Sequence, residues 1–405
     1  MKVTYLDNAA STRPALEVLA AMNQAATEFY ANPASAHAGG AAAARALDAA
    51  RAELAEIIGG EAREVTFTSG GTEANALAIL GVATHNRRRH LVVGALEHPA
   101  VLRNLERLVA LDGCELSIAP ADASGIVSAA AVLALVRPET ALVCLMHVNN
   151  ELGTIQPVAE LARGLQTAAT RAGQRKPHLH VDAVQSLGHV ALRASTLGAD
   201  SIAVSAHKIH GPNGVGALWL RAGAKIEALW DGGRQERGVR SGTENVPGAV
   251  GLACAARLAA QGLRDGDAER MAALRDRFEF EAAERIPGLR ATIPSPERAV
   301  LDRATYLERG ACRAPHIVSV ALPKLPAEPL LHALEARGVW ASAGSACASK
   351  TRGPSHVLKA VGIDDKTAVL RFSLSRETTD DDIETAVAAL KASVDELSSA
   401  PRRRA

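Results

Sequence analysis

Aromatic residues are scarce in this chain of 405 residues, at 3% of the total. Proteins that bind single-stranded nucleic acid stack the bases on aromatic side chains, so the composition argues against that class. An excess of one charge is also missing, because 45 lysines and arginines are matched by 44 acidic residues, for a net charge of +1. A general polyanion binder needs a positive excess, and we therefore expect no direct nucleic-acid binding.

Cysteines are few, and their spacing pairs none of them. The five lie at positions 114, 144, 254, 312 and 347, and no two form a C-x-x-C motif. This pattern argues against a disulfide framework and against a structural zinc site, so we expect no bound metal and a reducing, cytoplasmic setting. The chain begins without the apolar core of a signal peptide, and no stretch is expected to be long and apolar enough to span a bilayer.

The chain is too long for one ordinary core, so two or three domains are expected. Short apolar runs alternate with amphipathic runs between residues 65 and 220. The predicted strands are Val65–Thr68, Leu91–Ala95, Glu115–Ala119, Ala141–His147, His178–Asp182, Ser201–Ser205 and Gly216–Leu220. The helices predicted between them include Glu73–Ala83, Ala100–Leu111 and Val158–Ala172. This alternation predicts an α/β domain with a mostly parallel, seven-stranded sheet.

The remainder of the chain predicts a smaller α+β domain. A long helical segment, 249–284, is broken near 262–267. Strands at 317–322 and 369–374 and helices at 327–337 and 380–397 follow it, and 293–315 reads as an extended surface connection. We expect a large domain at 13–258, and a small one made of 1–12 together with 259–405.

Two residues at predicted strand ends carry the chemistry. Lys208 follows the run 201–205 and precedes a Gly-Pro turn, while Asp182 ends the run 178–182. Ligands gather at the carboxyl ends of parallel strands. A desolvated lysine can form a Schiff base, and an aspartate can pair with a pyridinium nitrogen, which together make a minimal pyridoxal 5′-phosphate site. Taken alone, Lys208 is interpreted as an ordinary lysine at the end of a strand. Its combination with Asp182 favours the pyridoxal 5′-phosphate site.

Polar residues also follow other predicted strands. Segment 69–75 opens a helix with small residues, and its free N–H groups could bind a phosphate together with Ser205 and His207, although an ordinary capped turn has the same pattern. His98 is either a buried structural histidine or an acid–base group stacked on a cofactor ring. The cluster 147–151 suggests ligand contacts, because turn formation explains only one of its two asparagines.

Two later residues complete the candidate site. Arg371 interrupts an apolar strand and needs an anionic partner, which is either a protein carboxylate or a substrate carboxylate held by two hydrogen bonds. Cys347 lies in a run of small residues, 341–349, and cationic residues follow it. That setting favours an exposed thiol with a lowered pKa, and the alternative is an incidental loop cysteine.

Together these motifs resemble the cysteine desulfurases, within the class V, fold-type I pyridoxal 5′-phosphate enzymes. The resemblance covers almost the whole chain. It rests on an ordered set of segments at 5–10, 32–35, 68–73, 97–98, 147–151, 181–185, 205–208, 237–243, 344–347 and 371–373. The Ser-Ala-Cys context of the cysteine is similar to the housekeeping branch, which serves iron–sulfur assembly.

The resemblance implies a role for each matching residue around the cofactor. Lys208 would hold pyridoxal 5′-phosphate as a Schiff base and move the Cα proton of the substrate. Asp182 would stabilise the pyridinium, Gln185 would bond the ring hydroxyl, and His98 would stack on the ring. The implied phosphate ligands are Gly71, Thr72, Ser205 and His207, joined by Thr243 from the other subunit of a homodimer.

The resemblance also implies the substrate and the sulfur acceptor. Asn32, Asn150 and Arg371 would orient L-cysteine, with Asn150 also near the cofactor. Cys347 would accept the sulfur as a persulfide and leave L-alanine. An iron–sulfur scaffold or a sulfur-carrier protein would then receive it, and Cys347 could contact a nascent cluster in such a complex.

Alternatives remain at this point. A selenocysteine lyase or another class V aminotransferase or lyase would keep Lys208 and Asp182, whereas only sulfur acceptance makes Cys347 indispensable. A non-catalytic scaffold on the same fold would be expected to have lost some of these residues. Arg234 and Ala348 depart from the usual family pattern, as does the long connection at 293–315, and these departures leave the sulfur acceptor open.

Overall fold

The computed structural model describes residues 3–293, 313–323, 325–344, 355–364 and 367–399. Its strands are β1 Thr4–Tyr5, β2 Val65–Thr68, β3 His90–Gly94, β4 Glu115–Ala119, β5 Thr140–Cys144, β6 His178–Asp182, β7 Ser201–Ser205, β8 Gly216–Leu220, β9 Arg290–Ala291, β10 Ile317–Pro323, β11 Val339–Trp340 and β12 Thr367–Ser373. Its helices are α1 Leu16–Glu28, α2 Ala38–Ile58, α3 Gly71–His85, α4 Pro99–Asp112, α5 Ala129–Leu133, α6 Val158–Ala172, α7 Ala194–Leu197, α8 Val246–Arg264, α9 Asp267–Arg285, α10 Ala327–Ala336, α11 His356–Ala360 and α12 Asp380–Ser399.

A seven-stranded sheet organises the larger part of the chain, in the order β2-β8-β7-β6-β5-β3-β4. Strand β8 runs antiparallel to both of its neighbours, and the other pairs are parallel. Every residue of β3, β5 and β7 is buried, as expected for strands that helices cover on both faces. This confirms the predicted α/β class and the mostly parallel sheet.

The predicted elements agree closely with the observed ones. Helix α6 has the predicted bounds, and α3 begins two residues earlier, at Gly71. Strand β5 was predicted to reach His147 but ends at Cys144, although the N–H groups of Leu145 and His147 still donate to carbonyls of β6 and its end. The alanine-rich helices α1 and α2 were not among the predictions.

A second core lies beyond the large sheet. An antiparallel sheet, β12-β10-β9, packs with α9, α10 and α12, and β1 pairs in parallel with β11. The Phe278 and Phe372 rings meet in this core with centroids 4.6 Å apart. Leu6 is fully buried in the same cluster, so N-terminal residues pack with the C-terminal part of the chain. The exact domain boundaries stay a prediction.

Helix α8 corrects the expectation that no stretch could span a bilayer by length and composition. Its mean hydropathy is 1.2 over an 18-residue window, and 50% of that window is buried inside the fold. Residues 246–256 of this helix pack in the large core, and the helix contacts α1 and α2. Its apolar character therefore serves helix packing within the fold.

Candidate active site

A cavity of about 220 Å³ lies at the carboxyl ends of β6 and β7 and at the N-terminus of α3. It brings together most of the predicted site residues. These are Gly71, Thr72, His98, Asn150, Asp182, Gln185, Ser205, His207, Lys208 and Arg371. They come from segments up to 300 positions apart in sequence, and the edge of the sheet brings them together.

Three predicted residues are not placed in this cavity. Asn32 and Thr243 are exposed and do not line it in the single chain. The side chain of Asn32 instead accepts a hydrogen bond from the backbone N–H of Ala34, at 2.9 Å. Cys347 lies outside the described residues. The roles proposed for these three stay predictions.

The amine of Lys208 is aimed by two backbone carbonyls. Strand β7 ends at Ser205, and one 3₁₀ turn, Ala206–Lys208, carries the lysine to the cavity. Its Nζ donates to the carbonyl oxygens of Ala9 and Ala10, at 2.6 and 2.8 Å. The N-terminal segment is itself fixed to this turn, since the hydroxyl of Thr12 donates to the His207 carbonyl at 3.0 Å.

The carboxylate of Asp182 is buried and held through both oxygens. One oxygen accepts the side-chain amide of Asn75 at 2.7 Å, and the other accepts the N–H of Val184 at 3.0 Å. The residue is 5% exposed. Hydrogen bonds of this kind stabilise the negative charge, so Asp182 offers a fixed anion to a positively charged ring atom.

The start of α3 has the features of an anion site. Gly70 caps the helix without a side-chain hydrogen bond, and a Cβ on Gly71 would lie 2.5 Å from Val184, so only glycine allows this close approach. Facing it, the buried hydroxyl of Ser205 has no hydrogen-bond partner within the described part of the chain. Free helix N–H groups beside an unsatisfied hydroxyl fit a phosphate.

Two histidines line the cavity in neutral form. Burial and, to a smaller extent, the charge of Lys208 lower the pKa of His207 to about 4. Burial also lowers the pKa of His98, whose Nδ1 accepts the N–H of Ala100 at 3.0 Å and caps α4. With Nδ1 occupied, the ring of His98 carries its proton on Nε2. A neutral imidazole can stack on a ring and exchange that proton.

Arg371 forms an ion pair with a protein carboxylate, that of Asp7, which is one of the two kinds of partner predicted from the sequence. Its Nη2 donates to Asp7 at 2.8 Å and its Nη1 donates to the carbonyl of Asn150 at 2.9 Å. The residue is 1% exposed and also lines the cavity. Its Nε has no hydrogen-bond partner among the residues that the structure describes. The guanidinium is thus positioned for an anion while already paired with Asp7.

Sequence reasoning missed several residues around the site. Asn75 contacts Asp182 directly, and His180 contacts Asn75. A signal was available: His178, His180 and Asp182 alternate along β6, and a period of two places them on one face of the strand. Asn75 was part of the phosphate-loop segment, but no role was given to it. Asp7, Ala9 and Ala10 lie in the segment 5–10 that carries part of the resemblance, but no role was given to them.

Comparison with known proteins agrees with this geometry. The family model for aminotransferase class-V matches residues 4–385. The chain is 42% identical over 401 residues to a cysteine desulfurase from Cereibacter sphaeroides, which covers 98% of this chain and 97% of the relative.

Two further comparisons extend this likeness. The chain is 36% identical over 397 residues to the cysteine desulfurase IscS of Dictyoglomus turgidum, which covers 97% of this chain and 95% of the relative. A solved structure of a NifS-like protein superposes with a TM-score of 0.86 at 32% identity, covering 98% of this chain and 100% of that one. The chain therefore belongs to the aminotransferase class-V family.

Proposed function

We propose that the protein is a pyridoxal 5′-phosphate-dependent cysteine desulfurase that converts L-cysteine to L-alanine and leaves the sulfur as a persulfide on Cys347. One observation carries the proposal: Lys208 and the buried Asp182 line one cavity, together with Gly71 at the helix N-terminus and the unpartnered hydroxyl of Ser205. The 42% identity to a cysteine desulfurase over nearly the full length of both chains supports it.

The residues present fit the cofactor. A phosphate suits the N-terminus of α3 with Ser205 and His207, and a pyridinium suits Asp182. When bound, the cofactor supplies an electron sink that weakens the bonds at the substrate Cα and Cβ. The proposed contact of Gln185 with the ring hydroxyl is supported by its side-chain amide: one N–H donates to the carbonyl of Ala9 at 2.8 Å, and the NH₂ group has a second N–H to offer.

The chain's own groups handle charge and protons. Asp182 would stabilise the positive charge of the ring nitrogen. Lys208 would hold the cofactor through its amine, and the same amine would move the proton at the substrate Cα. His98 is neutral and carries its exchangeable proton on Nε2, so it could donate that proton to a group bound at the cofactor ring.

Arg371 and Asn150 are the proposed substrate ligands. A substrate α-carboxylate would accept hydrogen bonds from the guanidinium of Arg371. The buried Nε of Arg371 is one donor available for this contact. Asp7 then keeps the guanidinium in place, as its carboxylate bonds Nη2. Asn32 is the further substrate ligand proposed from the family pattern.

Cys347 is the proposed sulfur acceptor. Its thiolate attacks the substrate sulfur, an S–S bond forms, the Cβ–S bond breaks with its electron pair on carbon, and a proton at that carbon completes L-alanine. Three of the other four cysteines, Cys114, Cys144 and Cys254, are buried. Burial raises the pKa of the Cys144 and Cys254 thiols, which disfavours the reactive thiolate there.

The partners follow from this chemistry. A homodimer would bring Thr243 of one subunit to the phosphate of the other, which fits the exposure of Thr243 in the single chain. An iron–sulfur scaffold or a sulfur-carrier protein is the proposed recipient of the persulfide sulfur. We propose that this takes place in the cytoplasm.

The deciding experiment incubates the purified protein and pyridoxal 5′-phosphate with L-cysteine and without reductant. Alanine is quantified, and peptides are mapped by mass for added sulfur. We expect alanine in a first turnover equal to the enzyme, and one added sulfur on the peptide that contains Cys347. Alanine release with no added sulfur on any cysteine would refute sulfur transfer, and turnover with L-selenocysteine alone would favour a selenocysteine lyase.

A further inference from the structure

A line of hydrogen bonds runs along β6, away from the cavity. Its first link is the 2.7 Å bond from the amide of Asn75 to Asp182. The Asn75 oxygen then lies 2.8 Å from Nε2 of His180, and Nδ1 of His180 lies 2.8 Å from the hydroxyl of Ser201. That hydroxyl is also 2.8 Å from Nε2 of His178. The line joins Asp182, at the carboxyl end of β6, to His178 at the opposite end of the strand.

The donors of this line can be assigned from its two ends. A carboxylate only accepts, so Asn75 must present its NH₂ group to Asp182 and its oxygen to His180. His180 must then carry its proton on Nε2. Burial lowers the pKa of His180 to about 3, so the ring is neutral and its Nδ1 accepts from Ser201. Ser201 in turn accepts from His178, and every group donates toward Asp182.

Because all the hydrogen bonds donate in one direction, the side-chain amide of Asn75 cannot flip over, as an isolated asparagine could. Turning the Asn75 amide over would place its oxygen against the Asp182 carboxylate and its NH₂ group against the N–H of His180. Both contacts repel, and all of these side chains except His178 are 5% exposed or less. Aligned hydrogen bonds in a low-dielectric interior also strengthen one another.

We propose that Asn75 and His180 are positioning residues that hold the Asp182 carboxylate, and its negative charge, toward the ring nitrogen of the cofactor. The inference rests on the proposed function, because it needs pyridoxal 5′-phosphate in the cavity. A positioning role goes beyond satisfying buried polar groups: loss of the line should weaken the contact to the ring nitrogen, whereas the proposed phosphate and ring-stacking contacts belong to other residues.

Binding of two forms of the cofactor distinguishes a positioning role from a general disturbance of the fold. Pyridoxal 5′-phosphate has the ring nitrogen, whereas 1-deazapyridoxal 5′-phosphate carries a C–H in its place. A distorted fold weakens the binding of both forms, but a misplaced Asp182 weakens only the first. The measured quantity is the ratio of the two dissociation constants, obtained by titrating each form into the apoprotein.

The variants are Asn75→Ala, His180→Leu, His180→Gln and Ser201→Ala. A glutamine amide can donate to Asn75 from the place of Nε2 and should keep the line. The matched control is His90→Leu on β3. His90 is 2% exposed and bonds Thr140 and Ser117 at 2.8 and 2.9 Å, and neither of these lines the cavity.

We expect the wild-type protein to prefer the ring-nitrogen form. Asn75→Ala and His180→Leu should reduce that preference about tenfold or more, the size expected for a hydrogen bond to a charged group. Ser201→Ala should reduce it less, His180→Gln should restore it, and His90→Leu should leave it unchanged. If His180→Leu does not fold, Asn75→Ala and Ser201→Ala carry the test.

Two results would count against the inference in different ways. A wild-type protein that binds no pyridoxal 5′-phosphate would overturn the proposed function and this inference with it. A wild-type protein that binds and prefers it, with the same preference in Asn75→Ala and His180→Leu, would overturn the positioning role alone.

Discussion

Replacing Arg371 by methionine separates its two possible partners. The change removes the ion pair with Asp7 and the bond to the Asn150 carbonyl. Losing one partner of a fully buried pair costs about 3–5 kcal/mol. The Asp7 side chain is 19% exposed, so water recovers part of that cost, and we expect the folded state to lose about 2–3 kcal/mol.

Substrate binding should suffer separately from stability. A bidentate contact to a substrate carboxylate contains two charged hydrogen bonds, each contributing about 1.5–3 kcal/mol. KM for L-cysteine should therefore rise by about a hundredfold or more in Arg371→Met. kcat should change less, because the contact is present in both the ground state and the transition state. The assay measures alanine against L-cysteine concentration, beside thermal unfolding.

A buried arginine outside the cavity provides the control. Arg275 is 6% exposed, and its Nη1 donates to the carbonyls of Arg313 and Ala314. Arg275→Met should lose stability but keep its KM. Asp7→Asn should also keep KM within a few-fold while it weakens the fold. Equal behaviour of Arg371→Met and Arg275→Met, with KM unchanged in both, would show that Arg371 is a structural ion-pair residue.

Lys208, Cys347 and Glu97 each allow a further test. Lys208→Ala should lose the visible absorption of the bound cofactor and all turnover; borohydride trapping of the cofactor on another lysine would contradict this. Cys347→Ser should bind cofactor and L-cysteine but form no persulfide and almost no alanine, whereas a stable persulfide on Cys114 with Cys347 dispensable would contradict it. Burial raises the pKa of Glu97 from 4.5 to about 8, so the folded state keeps a proton that the unfolded state releases. Stability should fall as the pH rises between these values, and Glu97→Gln should flatten that fall in unfolding curves; an unchanged slope would contradict the assignment.

Much of the fold was predictable because its signals are local. Most strands of the large sheet are short apolar runs, and helices α4 and α6 repeat apolar residues with the helical period, so these elements could be located from their own residues. The positions of Lys208 and Asp182 followed, since parallel strands end at one edge and both residues stand at such ends. Helices α1 and α2 gave a weaker signal and were missed.

What the sequence alone determined about this protein was therefore the order of its elements and the residue types at the sheet edge. Only the tertiary structure decided their partners, because those contacts join distant positions: Arg371 meets Asp7 across 364 residues, and His180 meets Asn75 across 105. No local sequence pattern specifies such a pair, since the polar side chain of either residue could equally well bond to solvent, to a ligand or to another side chain. The N-terminal segment packs on β12, which brings Asp7 to Arg371. Helix α3 packs against β6, which brings Asn75 to His180.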